Sequence, residues 1–151
     1  MPWRRTLLTA LGGLLFVYGV AYVDLVWRAR AAFHEGEKYM AWARDTSLKK
    51  ATLDGDLARK EKQLRDQAAR EGWAAAVLNQ RLFLAKFERD DLMNESSLKY
   101  AYAWYHTAVQ LFTPPESRWV ALCRERGKIA RALWKKERDA RKVLPQDFPL
   151  E

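Results

Sequence analysis

Cysteine is almost missing from this chain: Cys123 is the single one in 151 residues. One thiol cannot build an internal disulfide framework, and it gives no signal for a redox compartment. It falls on an apolar helical face, where a lone cysteine behaves as a small buried hydrophobe. Histidine is nearly as scarce. His34 and His106 stand far apart, with no thiols or clustered carboxylates beside them, so no ligand set occurs at metal-site spacing. His106, next to Tyr105, is the one candidate for acid–base chemistry. Without a nucleophile or convergent acids it reads as a half-buried structural histidine. No catalytic, cofactor-binding or metal motif emerges, and the chain is expected to be non-enzymatic and to need no cofactor.

Charge is missing too, but only locally. Eighteen consecutive uncharged residues run from Thr6 to Val23, about 27 Å of helix against a hydrocarbon core of about 30 Å. A helix satisfies its own backbone hydrogen bonds, so lipid can surround it at little cost. Its flanks carry the residues that favour a membrane interface: Trp3, Arg4 and Arg5 before it, Tyr22, Trp27, Arg28 and Arg30 after it. A cleaved secretory signal is the competing reading, with Gly19-Val20-Ala21 as the small-x-small site. The run outlasts the usual apolar region of a signal (about 7–15 residues), however, and apolar character continues through Leu25 and Val26. We therefore expect an uncleaved anchor. The basic flanks are nearly balanced; the short tail favours an N-terminus in the cytoplasm and a domain on the non-cytoplasmic side of the inner membrane.

The rest of the chain is basic. Its formal charge is +8, and only two of 27 Lys/Arg and one of 19 Asp/Glu precede Arg28, which leaves +7 on residues 28–151. Such a balance favours anionic surroundings, whether lipid headgroups, an acidic partner or nucleic acid, and on the basic face of the last helix the order is an acidic protein, headgroups, then nucleic acid, since no nucleic-acid-reading motif is present.

Along the chain, no proline or turn cluster separates the anchor from residues 28–45, so the helix is expected to continue as a stalk, interrupted at most near Gly36. Asp45-Thr46-Ser47 is a stop and restart. From Leu48 to Glu71 the residues are mostly charged, Ala and Leu. The acid-first pairs Asp56–Lys60, Glu61–Arg65 and Asp66–Arg70 favour a solvated helix. Leu53, Leu57, Leu64 and Ala68 supply a thin seam for a two-helix hairpin. Gly72 ends that helix. Trp73, Val77, Leu78, Leu82, Phe83, Leu84 and Phe87 then predict a broad apolar face and a buried helix. Around Asn94-Glu95-Ser96-Ser97 the chain either breaks or runs through.

Leu98 to Phe112 is the densest aromatic stretch. Tyr105, Ala108, Leu111 and Phe112 are read as core, and Tyr102 and Trp104 as candidates to line a partner groove. Thr113-Pro114-Pro115-Glu116 predicts a capping box, with Thr113 as N-cap, Pro114 at N1 and Glu116 at N3. A helix then runs to about Lys142, antiparallel to its predecessor across the short connection. Trp119, Leu122, Cys123, Ile129, Ala130, Leu133 and Trp134 are placed on one side of it. Its other side is strongly basic, with Arg124, Lys128, Arg131 and Lys135 at its centre and Arg118, Arg126, Lys136, Arg138, Arg141 and Lys142 around them.

Within this region, Ala101, Tyr105, Ala108 and Leu111, the following proline, and Trp119-x-x-Leu122 stand at the spacing of a turn between two tetratricopeptide-type repeats. Leu98 to Glu137 resembles that family, though Cys123 and Lys135 occupy positions where it carries small residues. The resemblance implies helical-hairpin packing and a protein-binding role.

The expected architecture is all-α: a membrane anchor (1–27), a helical stalk (28–47), an antiparallel helical-hairpin, tetratricopeptide-like domain (48–142) and a proline-containing tail (143–151). The expected role is a single-pass scaffold or assembly subunit of an envelope complex. It would bind a protein partner, or a copy of itself, through Tyr102, Trp104, Arg124, Lys128, Arg131 and Lys135. An exported soluble domain after cleavage, or a basic cytoplasmic domain binding nucleic acid or anionic lipid, is the alternative.

Overall fold

The computed structural model describes the backbone of residues 2–140 and the side chains within it, except those of residues 2 and 4–8. Arg4 and Arg5 as interface anchors, Arg141 and Lys142 on the basic face, and the tail from Val143 lie outside the described residues. Among those described there are five helices and no strand: α1 (Pro2–Arg44), α2 (Thr46–Glu71), α3 (Ala75–Asn94), α4 (Ser97–Leu111) and α5 (Arg118–Ala140). They form two compact units. Of the described residues, 2–39 and 98–140 belong to one, and 40–97 to the other.

Helix α1 is unbroken for 43 residues, about 65 Å, and passes straight through Gly36. That glycine serves packing rather than a break. A Cβ built on it would lie 2.4–2.8 Å from ring atoms of Tyr105, closer than any side chain tolerates. In this first unit the second half of α1 meets α4 and α5 through small residues. Ala29, Ala101, Ala108, Val120, Cys123 and Ala130 are fully buried, and Gly127 on α5 faces the Tyr105 Cβ at 3.4 Å. Tyr105 is the one large ring in their midst. Its hydroxyl donates to Glu37 Oε1 at 2.8 Å, and the same oxygen meets Arg126 Nε at 3.0 Å. Burial, followed by the bond to Glu37, pushes the Tyr105 hydroxyl pKa up.

Three expectations for this unit fail. Leu111 is 66% exposed and Phe112 half-buried, because the inner face of α4 runs 101, 105, 108 and Leu111 lies off that line. On α5 the inner face takes Val120, Cys123, Gly127 and Ala130, which leaves Ile129 and Leu133 exposed; close helix approach selects small side chains over large ones. The capping box does not form either. Pro115 disfavours a helical Pro114 just as Pro114 does Thr113, so the start moves to Arg118. Both proline bonds here are cis, and Ser117 takes the cap, its Oγ accepting from the Val120 amide at 3.3 Å. Glu116 instead accepts both guanidinium nitrogens of Arg124, at 2.6 and 3.0 Å.

In the second unit α2 and α3 pack on each other. Asp45 caps α2, accepting from the Ser47 hydroxyl at 2.6 Å and from the Ser47 and Leu48 amides at 2.8 and 3.2 Å; the hydroxyl first, then the amides, hold its carboxyl below the usual range. Gly72 ends α2 in the left-handed region at φ 66°, and the Trp73 amide returns to the Ala68 carbonyl at 3.0 Å. The turn is short and the cross-links descend in register: Lys49 to Met93, Arg89 to Asp54, Lys60 to Glu88. The hairpin is therefore antiparallel. Of the three pairs expected along α2, only Glu61–Arg65 forms, at 3.3 Å. Lys60 reaches across to Glu88, Asp56 pairs with Arg59, and Arg70 bonds the Asp66 carbonyl. The chain breaks at Glu95, which is extended.

Candidate functional site

The apolar half of α1 is the first candidate. From Thr9 to Asp24 every residue is exposed, and the helix is long and apolar enough to cross a membrane. Trp3, Tyr22 and Trp27 are exposed at its two ends. Asp24, the first charge after the run, is paired to Arg28 at 2.7 Å. Arg30 lies between two rings, its guanidinium carbon 6.0 Å from Trp27 and 5.6 Å from Trp119.

The aromatic and basic residues singled out in the sequence are only partly brought together. Tyr102 stacks on Trp134 at 5.9 Å and lies 5.4 Å from His106, so it is half-buried within the unit. Trp104 is 38% exposed. Two residues apart on a helix, the two rings point to nearly opposite faces and do not line one groove. Arg124, Lys128, Arg131 and Lys135 recur at steps of 4, 3 and 4 and share a stripe of α5. Arg124 is committed to Glu116 and Lys128 to Glu125 at 2.9 Å; Lys135 is exposed. Cys123 is fully buried, and burial pushes its thiol up to about 11. It is a core atom rather than a nucleophile at neutral pH. Among the described residues no three His, Cys, Asp or Glu lie close enough to hold a metal ion.

Sequence reasoning missed the surface of α3. That helix was expected to be buried, yet Val77, Phe83, Leu84 and Phe87 are exposed, Phe83 to 67% and Phe87 to 60%. The inner face toward α2 is supplied instead by Leu78, Leu82 and Ala85, a half-turn away. Apolar residues thus occupy two faces of one helix, and the hairpin covers one of them. The signal was present in the sequence as an apolar arc too wide for a single interface. Comparison with known proteins finds no family model, curated protein or solved structure that matches this chain.

Proposed function

We propose that this chain is a single-pass membrane protein that acts by contact, as a scaffold or assembly subunit of an envelope complex, with no chemistry of its own. The observation that carries the reading is α1. The same helix is bare where it is apolar and packed where it is mixed, the distribution expected when lipid covers the first part and protein the second. The mechanism is tethering: anchorage confines the helical units to two dimensions and raises their effective concentration toward whatever they bind. Kinship with tetratricopeptide-type hairpins, an inner-membrane location and a non-cytoplasmic domain belong to this proposal.

The partner is a protein, and the α3 stripe is the surface offered to it. Two phenylalanines with Leu84 between them form an i, i+1, i+4 anchor of the kind that fills an apolar groove. The α5 stripe around Arg131 and Lys135 is a second surface, suited to an acidic partner, and Trp104 stands apart from it. Fractionation tests the anchor: the protein should sediment with membranes after detergent-free lysis and leave them only with detergent. Recovery in the soluble fraction would refute it. For the contact role, Phe87→Asp should abolish co-purification of the partner with helicity unchanged, whereas Arg131→Glu should weaken it. Full recovery with Phe87→Asp would remove α3 as the docking surface.

A further inference from the structure

The connection between α4 and α5 lies at the end of its unit nearer the apolar half of α1. Helix α5 runs parallel to the second half of α1: Trp119 is level with His34 (5.5 Å between ring centroids) and with Arg30, and seven residues on Arg126 meets Glu37. Helix α4 runs the other way, with Tyr100 stacked on Tyr39 at 5.2 Å and Tyr105 against Gly36. Residues 112–117 are therefore turned toward the apolar half of α1. Leu111 is six residues beyond Tyr105, about 9 Å nearer that half, which puts it level with about residue 30 of α1. Exposure along α1 first falls at Leu25 and Val26, just after the uncharged run ends at Val23.

The chemistry of this end suits an interface between lipid and water. Leu111 is 66% exposed and Trp27 67%; Phe112 and Pro115 are half-buried and Pro114 is exposed. The acids nearby are neutralised in place, Asp24 by Arg28 and Glu116 by Arg124. Arg30 and Arg118, both exposed, face no carboxylate among the described residues and contact Trp119, at 5.6 and 5.8 Å. An apolar tip ringed by cations on amphipathic stems is the arrangement by which a peripheral segment enters an anionic headgroup layer.

We infer that the α4–α5 connection is a second bilayer contact, in which Leu111, Phe112 and Pro114 enter the headgroup region of the membrane that α1 crosses while Arg30 and Arg118 meet its phosphates. This rests on the anchor reading. It makes the first unit lie against the membrane rather than stand clear of it, because α1 is fixed at one point and the connection supplies another beside it.

Depth measurement on the full chain separates the two. Cysteines introduced singly at Leu111, at Pro114, at Tyr18 in the apolar half of α1, and at Lys135 far along α5 are labelled with an environment-sensitive fluorophore; the native chain, its Cys123 buried, is the blank. Each is reconstituted in nanodiscs of phosphatidylcholine with phosphatidylglycerol. Quenching is read with aqueous iodide and with lipids carrying a nitroxide near the headgroup. The expected result is loss of iodide quenching and gain of lipid quenching at Leu111 and Pro114, as at Tyr18, with the reverse at Lys135. Leu111 and Pro114 labels that behave like Lys135 while Tyr18 stays shielded overturn this inference alone. Iodide access at Tyr18 overturns the anchor and this inference together. Immersion of both loop labels that is unchanged in pure phosphatidylcholine overturns the role given to Arg30 and Arg118. Far-UV circular dichroism checks each variant, and a Phe112→Cys label replaces any that loses helicity.

Discussion

The two units of this molecule build their interiors by opposite means. In the first, glycine and alanine draw three helices together and a single ring, Tyr105, fills what the small residues leave. In the second, Met40 and Trp42 at the end of α1 are buried and two charged helices share a thin seam of Leu53, Ala68 and Ala85, reinforced by a buried lysine and by ion pairs across the hairpin. Buried apolar area contributes about 25 cal/mol per Å², whereas an exposed ion pair contributes about 0–1 kcal/mol. The difference reaches the surface as well: the hairpin leaves the face of α3 that carries Val77, Phe83, Leu84 and Phe87 exposed.

The comparison breaks most sharply at Tyr105. Tyr105→Ala should cost about 3–5 kcal/mol, as large aromatic truncations in a core do. Gly36→Ala should cost about 1–3 kcal/mol, since its new methyl would meet the ring at 2.4 Å and Tyr105 has α5 behind it. Urea unfolding of the full chain in nanodiscs, followed by thiol reactivity at Cys123, measures both. A loss below about 1 kcal/mol for Tyr105→Ala would show that the first unit is not organised around that ring.

The next test belongs to the hairpin. Lys49 is 5% exposed, and its ammonium donates to the Met93 and Glu95 carbonyls at 3.0 and 2.7 Å. It thus satisfies acceptors at the C-terminal end of α3 and sets a positive charge against that helix dipole. Lys49→Met keeps the stem and removes the charge. It should cost about 1.5–3 kcal/mol, seen as faster amide exchange in the last turn of α3, with Cys123 reactivity unchanged. If Cys123 became reactive as well, the two units would not be energetically separate.

What the sequence could and could not disclose follows the same division. Helix boundaries set by local chemistry were legible: the stop and restart at Asp45-Thr46-Ser47, the helix end at Gly72, a stop before Pro114. So was the length and apolarity of α1. The side on which each helix would be covered was not. Ile129 and Leu133 were placed on one apolar side with Cys123 and Ala130, but close helix packing takes only the small residues of that side, with Gly127 beside them. Phe83 and Phe87 read as buried because nothing local says that the neighbouring helix is too charged and too narrow to cover them. The start of α5 was misplaced because two prolines constrain each other, and the cap passed to Ser117. The candidate partner residues were found as a basic stripe, but whether Tyr102 turns inward depends on Trp134, thirty-two positions away.

Alkaline pH should affect the first unit before the second. Burial keeps the Cys123 thiol protonated, moving it from an ordinary 9.0 up to about 11. As pH rises past about 9 the unfolded chain releases this proton while the folded chain does not. The associated stability is whole below pH 9 and declines as pH climbs toward 11. The Tyr105 hydroxyl, also raised, acts in the same direction. Cys123→Ala should therefore show a shallower alkaline loss of stability than the native chain, after allowing for its own lower starting value. Equal slopes would mean that the thiol does not titrate with unfolding.

The smallest effects separate the seam from the ion pairs as the cause of the hairpin. Lys60–Glu88 bridges α2 and α3, whereas Arg65–Glu61 lies within α2, so only the first can hold the two helices together. All four side chains except Glu61 are largely exposed, and each pair should contribute at most about 1 kcal/mol. Lys60→Ala should cost slightly more than Arg65→Ala, and both differences should fade in 1 M salt, where screening acts over about 3 Å. Leu53→Ala, which opens the seam, should cost about 2–5 kcal/mol and be insensitive to salt. A Lys60→Ala loss that matched Leu53→Ala and vanished in salt would reverse the assignment: charge would then hold the hairpin together, and the uncovered face of α3 would be a consequence of a weak core rather than a surface kept for a partner.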